Sequence, residues 1–227
     1  MMANIVVGFF LQGGPVMWPI LFSALVSVAV VGERSFWWLR EDRRRDPRKL
    51  EQILAALENG DIPAANRIAE GSKDPVIHMI HTGMEHVHTS MQGALQLAAG
   101  IELERAGRFL TAMDTLVTLA PLLGLLGTVT GLMRAFLSIG SAELAVAKVT
   151  GGIGEALIAT ACGLGIAIFS LIPFNYFTGR VARLQFELEA VATNVELMIH
   201  PSQSSPAAVK LEQPRGSGSP AESGLSR

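Results

Sequence analysis

The 227-residue chain is poor in charge: Asp, Glu, Lys and Arg make up 17% of it, against 49% hydrophobic residues. So little charge excludes an ordinary soluble domain, in which about a quarter of residues are charged. Cysteine is nearly missing as well. Cys162 stands alone inside an apolar run, which rules out an intrachain disulfide or redox pair and reads most simply as a buried small residue. The net charge is only −2, and the basic residues gather in one stretch between apolar segments. No spread basic face is available to track phosphates, so nucleic acid is excluded as a partner. There is no glycine-rich nucleotide loop and no convergent set of nucleophile, base and metal ligands, so neither an enzyme nor a cofactor is expected. The first apolar stretch is preceded by no Lys or Arg and followed at once by Glu33 and Arg34, which is unlike a secretory signal and predicts a retained anchor.

What is present is apolar length. Residues 16–39, 115–139 and 153–177 are each long enough to cross about 30 Å of hydrocarbon, which takes roughly 20 helical residues. Membrane lipid is therefore an expected partner. Phe36, Trp37 and Trp38 are expected to form an aromatic belt at the interface. Residues 5–11, ended by Gly13, Gly14 and Pro15, suit the membrane surface better than its interior. Cytoplasmic flanks hold the excess of Lys and Arg. Arg40, Arg43, Arg44, Arg45, Arg48 and Lys49 follow the first span, and Arg180 and Arg183 follow the third. This predicts a multi-pass membrane protein with its N-terminus outside and its C-terminus in the cytoplasm.

Between the first two spans the punctuation is helical. Asp46-Pro47, Asp61-Ile-Pro63 and Asp74-Pro75 each read as a helix start, and Asn59-Gly60 as an end. No strong breaker occurs from Met91 to Pro121, which predicts one helix of roughly 70 Å whose outer half is the second span. Leu184, Leu188, Val191, Val195 and Met198 extend the third span inward as an apolar seam. The expected class is an all-α membrane protein with three transmembrane helices, the second and third extended into a cytoplasmic helical bundle. Its layout is a periplasmic segment at 1–15, spans at 16–39, 111–139 and 153–177, and a periplasmic turn at 140–152. A cytoplasmic helical region at 40–110, a cytoplasmic helix at 178–200 and a Pro-, Ser- and Gly-rich disordered tail at 201–227 complete it.

In the second span, Gly124, Thr128, Gly131 and Ala135 fall on one stripe, with Gly127 beside it; the third span carries Ala156, Ala159, Thr160, Gly163 and Ala167. Small residues let helices approach closely in lipid. A packing surface whose threonines bond back to their own helices is one reading; a polar path is the other. Glu155, an ionisable group in a span, favours a path or a partner. An interfacial ion pair with Arg134 is the structural alternative.

Ala120-Pro121-Leu-Leu-Gly124-Leu-Leu-Gly127-Thr128-Val-Thr-Gly131-Leu-Met-Arg-Ala-Phe136 resembles the second-span signature of the ExbB/TolQ/MotA family. Glu155-Ala-Leu-Ile-Ala-Thr160-Ala-Cys-Gly163-Leu resembles its third-span signature, and Gly13-Gly14-Pro15 through Glu33-Arg34 is similar to its first span. The short loop between residues 40 and 110 looks closer to ExbB and TolQ than to MotA. The resemblance implies a homo-oligomeric ring, typically a pentamer, with a pore lined by the second and third spans. It implies a dimer of single-span ExbD- or TolR-like subunits in that pore, with a membrane aspartate, and a TonB- or TolA-like protein as the recipient of the work. On this resemblance Thr128 and Thr160 match the pore threonines and Glu155 the third-span acid. Two departures stand out: Phe169 occupies a site where relatives often have proline, and Arg134 is a charge where polar or small residues are usual.

Two other classes stay open at this stage. A small-solute transporter would show internal repeats and interrupted helices, which are not seen here. A membrane metalloprotein would use His78, His81, Glu85 and His88, spaced on one helix face beside His86. One helix brings only two such neighbours to one ion, and the adjacent apolar residues Val76, Ile77, Ile80, Met84 and Val87 make an amphipathic helix with solvated histidines the simpler reading. No metal site is expected.

Overall fold

The computed structural model describes residues 13–87, 89–137 and 142–199. Among them the chain is entirely helical, with three helical stretches long and apolar enough to cross a membrane. In chain order the helices are α1 (Met17–Asp42), α2 (Pro47–Glu58), α3 (Ile62–Ala69), α4 (Pro75–Glu85), α5 (Met91–Gly107), α6 (Leu110–Leu137) and α7 (Ala142–Ile199). The segment at 1–12 and the tail from His200 onward lie outside the described residues.

Each short helix begins as its sequence dictates. Asp46 accepts from the Lys49 amide at 3.1 Å and Asp61 from the Ala64 amide at 2.9 Å, each with a proline in the first turn. Such caps contribute about 1 kcal/mol each. Asp74 does more. One of its oxygens accepts from the Val76 amide and the other from the Asp46 amide, both at 2.9 Å, so a buried carboxylate ties the start of α2 to the start of α4. Arg45 lies 3.7 Å from Asp74 and makes a two-pronged contact with Glu187 of α7 at 2.8 and 2.7 Å.

These helices enclose a core of large side chains. Ile53, Leu57, Ile77, Ile80, Leu95, Met113, Leu188 and Val195 are all buried, the last two on the seam that continues the third span. Fully burying a side chain of this size stabilises by roughly 1.5–3 kcal/mol, set against the conformational entropy lost on folding. Trp38 joins this core instead of the interfacial belt. It is buried, with its ring edge-on to Trp37 at 5.1 Å, while Phe36 stays exposed. The α-helical turn of 100° per residue explains the split: consecutive aromatics cannot share one face.

Two boundaries differ from the sequence expectation. The helix expected to run unbroken from Met91 is interrupted at Arg108 and Phe109, with Phe109 in the left-handed region at φ 64°. That backbone costs a residue with a side chain roughly 1–2 kcal/mol, so something must offset it, and the carbonyls that end α5 find a partner in Arg34 of α1. The second difference is α7, which begins at Ala142 and therefore takes in most of the stretch read as an outer turn. The run Ala-Glu-Leu-Ala-Val-Ala-Lys at 142–148 is made of residues that favour helix or tolerate it, and no proline or glycine interrupts it. Pro121 and Pro173 lie inside α6 and α7 without ending either.

The first span lies against the other two. Ser27 and Ser170 share a hydrogen bond of 2.6 Å between buried hydroxyls of α1 and α7, a polar clasp between two otherwise apolar helices. At the bundle end of the spans Arg180 of α7 pairs with Asp42 and stands over the Trp38 ring at 4.5 Å.

Candidate functional site

The site is built where α6 and α7 run antiparallel with their backbones nearly touching. A methyl group placed on Gly163 would stand 2.5 Å from the Ala120 carbonyl oxygen and 3.1 Å from the Gly124 backbone. Only glycine fits there, because real side-chain carbons do not approach a backbone oxygen so closely. Further out, Gly127 faces Ala159 and Gly131 faces Ala156 and the Gly152 carbonyl; Gly124, Gly127, Gly131 and Ala159 are buried. Ala167 is buried further along the same helix. In lipid, where burying apolar surface offers little between helices, such contact supplies dispersion and fixes the register.

That register places the two threonines. The Thr160 hydroxyl donates across the contact to the Gly124 carbonyl at 2.9 Å. Thr128, one turn beyond Gly124 on α6, donates to the Leu125 carbonyl of its own helix at 2.7 Å. Both side chains are half-buried. Each hydroxyl has thus committed its single proton to a carbonyl and keeps its lone pairs free to accept. Thr130 is likewise bonded back to Leu126.

Glu155 and Arg134 are in contact at the end of the same pair away from the bundle, 2.6 Å apart. The carboxylate oxygen is buried without an aligned hydrogen bond, so the attraction is one of charge rather than of directed donation. Gly14, with φ 70° in the turn before α1, lies against both groups; a side-chain carbon there would run into the Glu155 carboxylate and come within 3.0 Å of the Arg134 guanidinium. The entry to the first span therefore rests on an ion pair made by the other two. Its signal in the sequence is only the Gly13-Gly14 pair, which reads equally well as a turn.

Of the described histidines, His78 and His81 lie on α4 and His86 just after it. His78 is 3.3 Å from Glu102, whose carboxylate also meets Arg105 at 2.9 Å; with Glu41, Arg44 and Trp37 they line a polar cleft of about 360 Å³. His81 is 3.9 Å from Glu85, and His88 lies outside the described residues. Among the described residues no group of three His, Cys, Asp or Glu side chains is placed to hold a metal ion. Val76, Ile77, Ile80 and Met84 are buried on the other side of α4.

Three apolar helices, a backbone-to-backbone seam with a hydroxyl bridging it, and a helical bundle continuing two of the spans define a multi-pass membrane protein. The chain belongs to the MotA/TolQ/ExbB proton channel family, whose model matches residues 71–190. It is 34% identical over 197 residues to a putative biopolymer transport protein, ExbB-like 1, of Synechocystis sp., covering 83% of this chain and 77% of that one. A second Synechocystis protein, ExbB-like 3, is 35% identical over 184 residues, covering 78% and 87%. The biopolymer transport protein ExbB of Salmonella typhimurium is 29% identical over 199 residues, covering 81% and 80%.

Proposed function

We propose that this chain is an ExbB/TolQ-like subunit of an inner-membrane motor driven by the proton-motive force. Copies form a ring, of five subunits, and a dimer of single-span ExbD- or TolR-like subunits occupies its pore. Proton flow through that pore does work on a TonB- or TolA-like envelope protein. The Lys and Arg distribution orients the chain with its N-terminus periplasmic and its C-terminus cytoplasmic.

The observation that carries this reading is the Thr160 hydroxyl, half-buried on the α6–α7 seam and bonded to the Gly124 carbonyl one turn from Thr128. A guest carboxylic acid in a dry pore has its pKa raised by desolvation, so it takes a proton from the outer side and gives it up inward. In the arrangement seen, both threonines offer lone pairs, which suits the protonated acid. When the acid ionises, a hydroxyl rotates off its carbonyl and donates to the carboxylate instead. The change of charge on that single guest group drives its displacement, and the membrane potential contributes about 2.3 kcal/mol per charge per 100 mV. Glu155, held by Arg134, stands at the outer mouth of this path.

Exposed apolar side chains support assembly. Leu122, Leu125, Val129, Met133 and Phe136 leave one side of α6 uncovered within a single chain, and lipid or further copies must cover it. The decisive test is Thr160→Val, purified with its single-span partner and reconstituted into vesicles. Proton flux is expected to fall more than tenfold while the oligomer mass by native mass spectrometry stays that of the parent. Full flux through the valine variant would overturn the hydroxyl role.

A further inference from the structure

The break between α5 and α6 lies where the cytoplasmic column meets the second span, and a side chain from a third helix fills it. We infer that Arg34 is a positioning residue: its guanidinium latches the first span to the α5–α6 break and sets the direction in which α6, carrying Thr128 and Gly124, leaves the column.

Arg34 is 1% exposed, an arginine wholly withdrawn from solvent. One terminal nitrogen donates to the Arg105 and Ala106 carbonyls at 3.2 and 3.4 Å, in the last turn of α5, where the Arg105 carbonyl also takes the Arg108 amide at 3.4 Å. The other terminal nitrogen and Nε donate to the two Glu33 oxygens at 2.8 and 2.6 Å. The guanidinium carbon lies 5.1 Å from the Trp37 ring and 5.5 Å from that of Phe109, whose ring also meets Arg108 at 4.8 Å. Glycine would adopt the Phe109 backbone without strain; the ring there instead stands against two cations. Only a planar fork serves the carbonyls and Glu33 together, and a lysine can meet one or the other.

The lever from this point to the site is short. Gly124 is about 22 Å along α6 from Phe109, so a tilt of about 5° at the break moves its carbonyl by about 2 Å. That is enough to part it from the Thr160 hydroxyl.

The activity arm of the test rests on the proposed ion path; the exchange arm does not. Hydrogen exchange and proton flux are measured on the full oligomer with its partner in lipid nanodiscs and vesicles, for the parent, Arg34→Gln and Arg34→Lys. Arg34→Gln is expected to speed exchange at least tenfold across residues 106–113, leave the amides around Ile53 and Ile80 as protected as in the parent, and cut flux at least tenfold. Arg34→Lys is expected to fall between the two in both readouts. Unchanged exchange at 106–113 in both variants, or full flux through Arg34→Gln, overturns the latch. Exchange rising equally through the bundle also overturns it, because Arg34 would then merely hold the fold. A parent complex that carries no flux defeats the ion path while the exchange data still judge the latch.

Discussion

The two halves of this chain are packed by opposite rules. In the helical bundle large side chains fill the interior: Ile53, Leu57, Ile77, Ile80 and Leu188 are all at or below 1% exposure. In the membrane half the seam between α6 and α7 is glycine and alanine, only a few large side chains such as Met17 and Ile20 are buried against it, and most stand outside, with Phe22, Leu122 and Phe136 each at least 60% exposed. The solvent decides which rule holds. Water drives large apolar groups inward, at roughly 25 cal/mol per Å² of surface removed. Lipid does not, so helices there join where their backbones can touch. One helix, α7, obeys both rules along its length, with Gly163 on the seam and Leu188 in the core.

The comparison predicts that the same kind of substitution has opposite consequences in the two halves. The largest effect is expected from enlarging a small residue on the seam. Gly163→Leu should prevent α6 and α7 from closing and abolish folded protein in the membrane, whereas Gly165→Leu, two residues on and open to the surroundings, should leave the yield of protease-resistant protein near that of the parent. Shrinking a large residue in the bundle comes next. Leu188→Ala should cost about 2–5 kcal/mol, read as a lowered unfolding midpoint in detergent, with the seam left intact. Removing the buried cap follows: Asp74→Ala should cost about 1–3 kcal/mol by the same measurement, since the Val76 and Asp46 amides lose their acceptor together. The smallest stability effect belongs to the residue of greatest functional weight in the proposed mechanism. Thr160→Val should shift stability by only about 0.6 kcal/mol, because a hydrogen bond between helices in lipid is worth little more. A large loss of stability there would mean that the hydroxyl is a structural clasp.

The sequence states the local rules of both halves and is silent on what joins them. Spans are legible because crossing a bilayer needs an apolar run of fixed length, and the helix starts at Asp46, Asp61 and Asp74 because a cap acts within three residues. The recurrence of Gly and Ala on α6 and α7 announces a close approach. Which atoms meet across it depends on tertiary register, so the bond from Thr160 to the Gly124 carbonyl and the seating of Gly14 on Glu155 had no counterpart in spacing. The break at Phe109 was hidden for a different reason. It uses neither glycine nor proline, and what sustains it is a side chain about 70 residues earlier in the chain. Arg34 itself reads as one more interfacial charge until its burial is seen. Ser27 and Ser170 are equally ordinary in sequence, since a serine in a span usually bonds to its own helix, and each gains meaning only from the other.

The unbroken length of α7 has a mechanical consequence. Its 58 residues form a rod about 87 Å long that begins at the end of the membrane half away from the bundle and ends deep in the bundle. Turned by about 5° near its outer end, such a rod swings its far tip by about 8 Å. On the proposed mechanism a displacement at the scale of one hydroxyl is thereby magnified to the size of a side chain or more at the opposite extremity, carried by the rod together with the bundle packed on it.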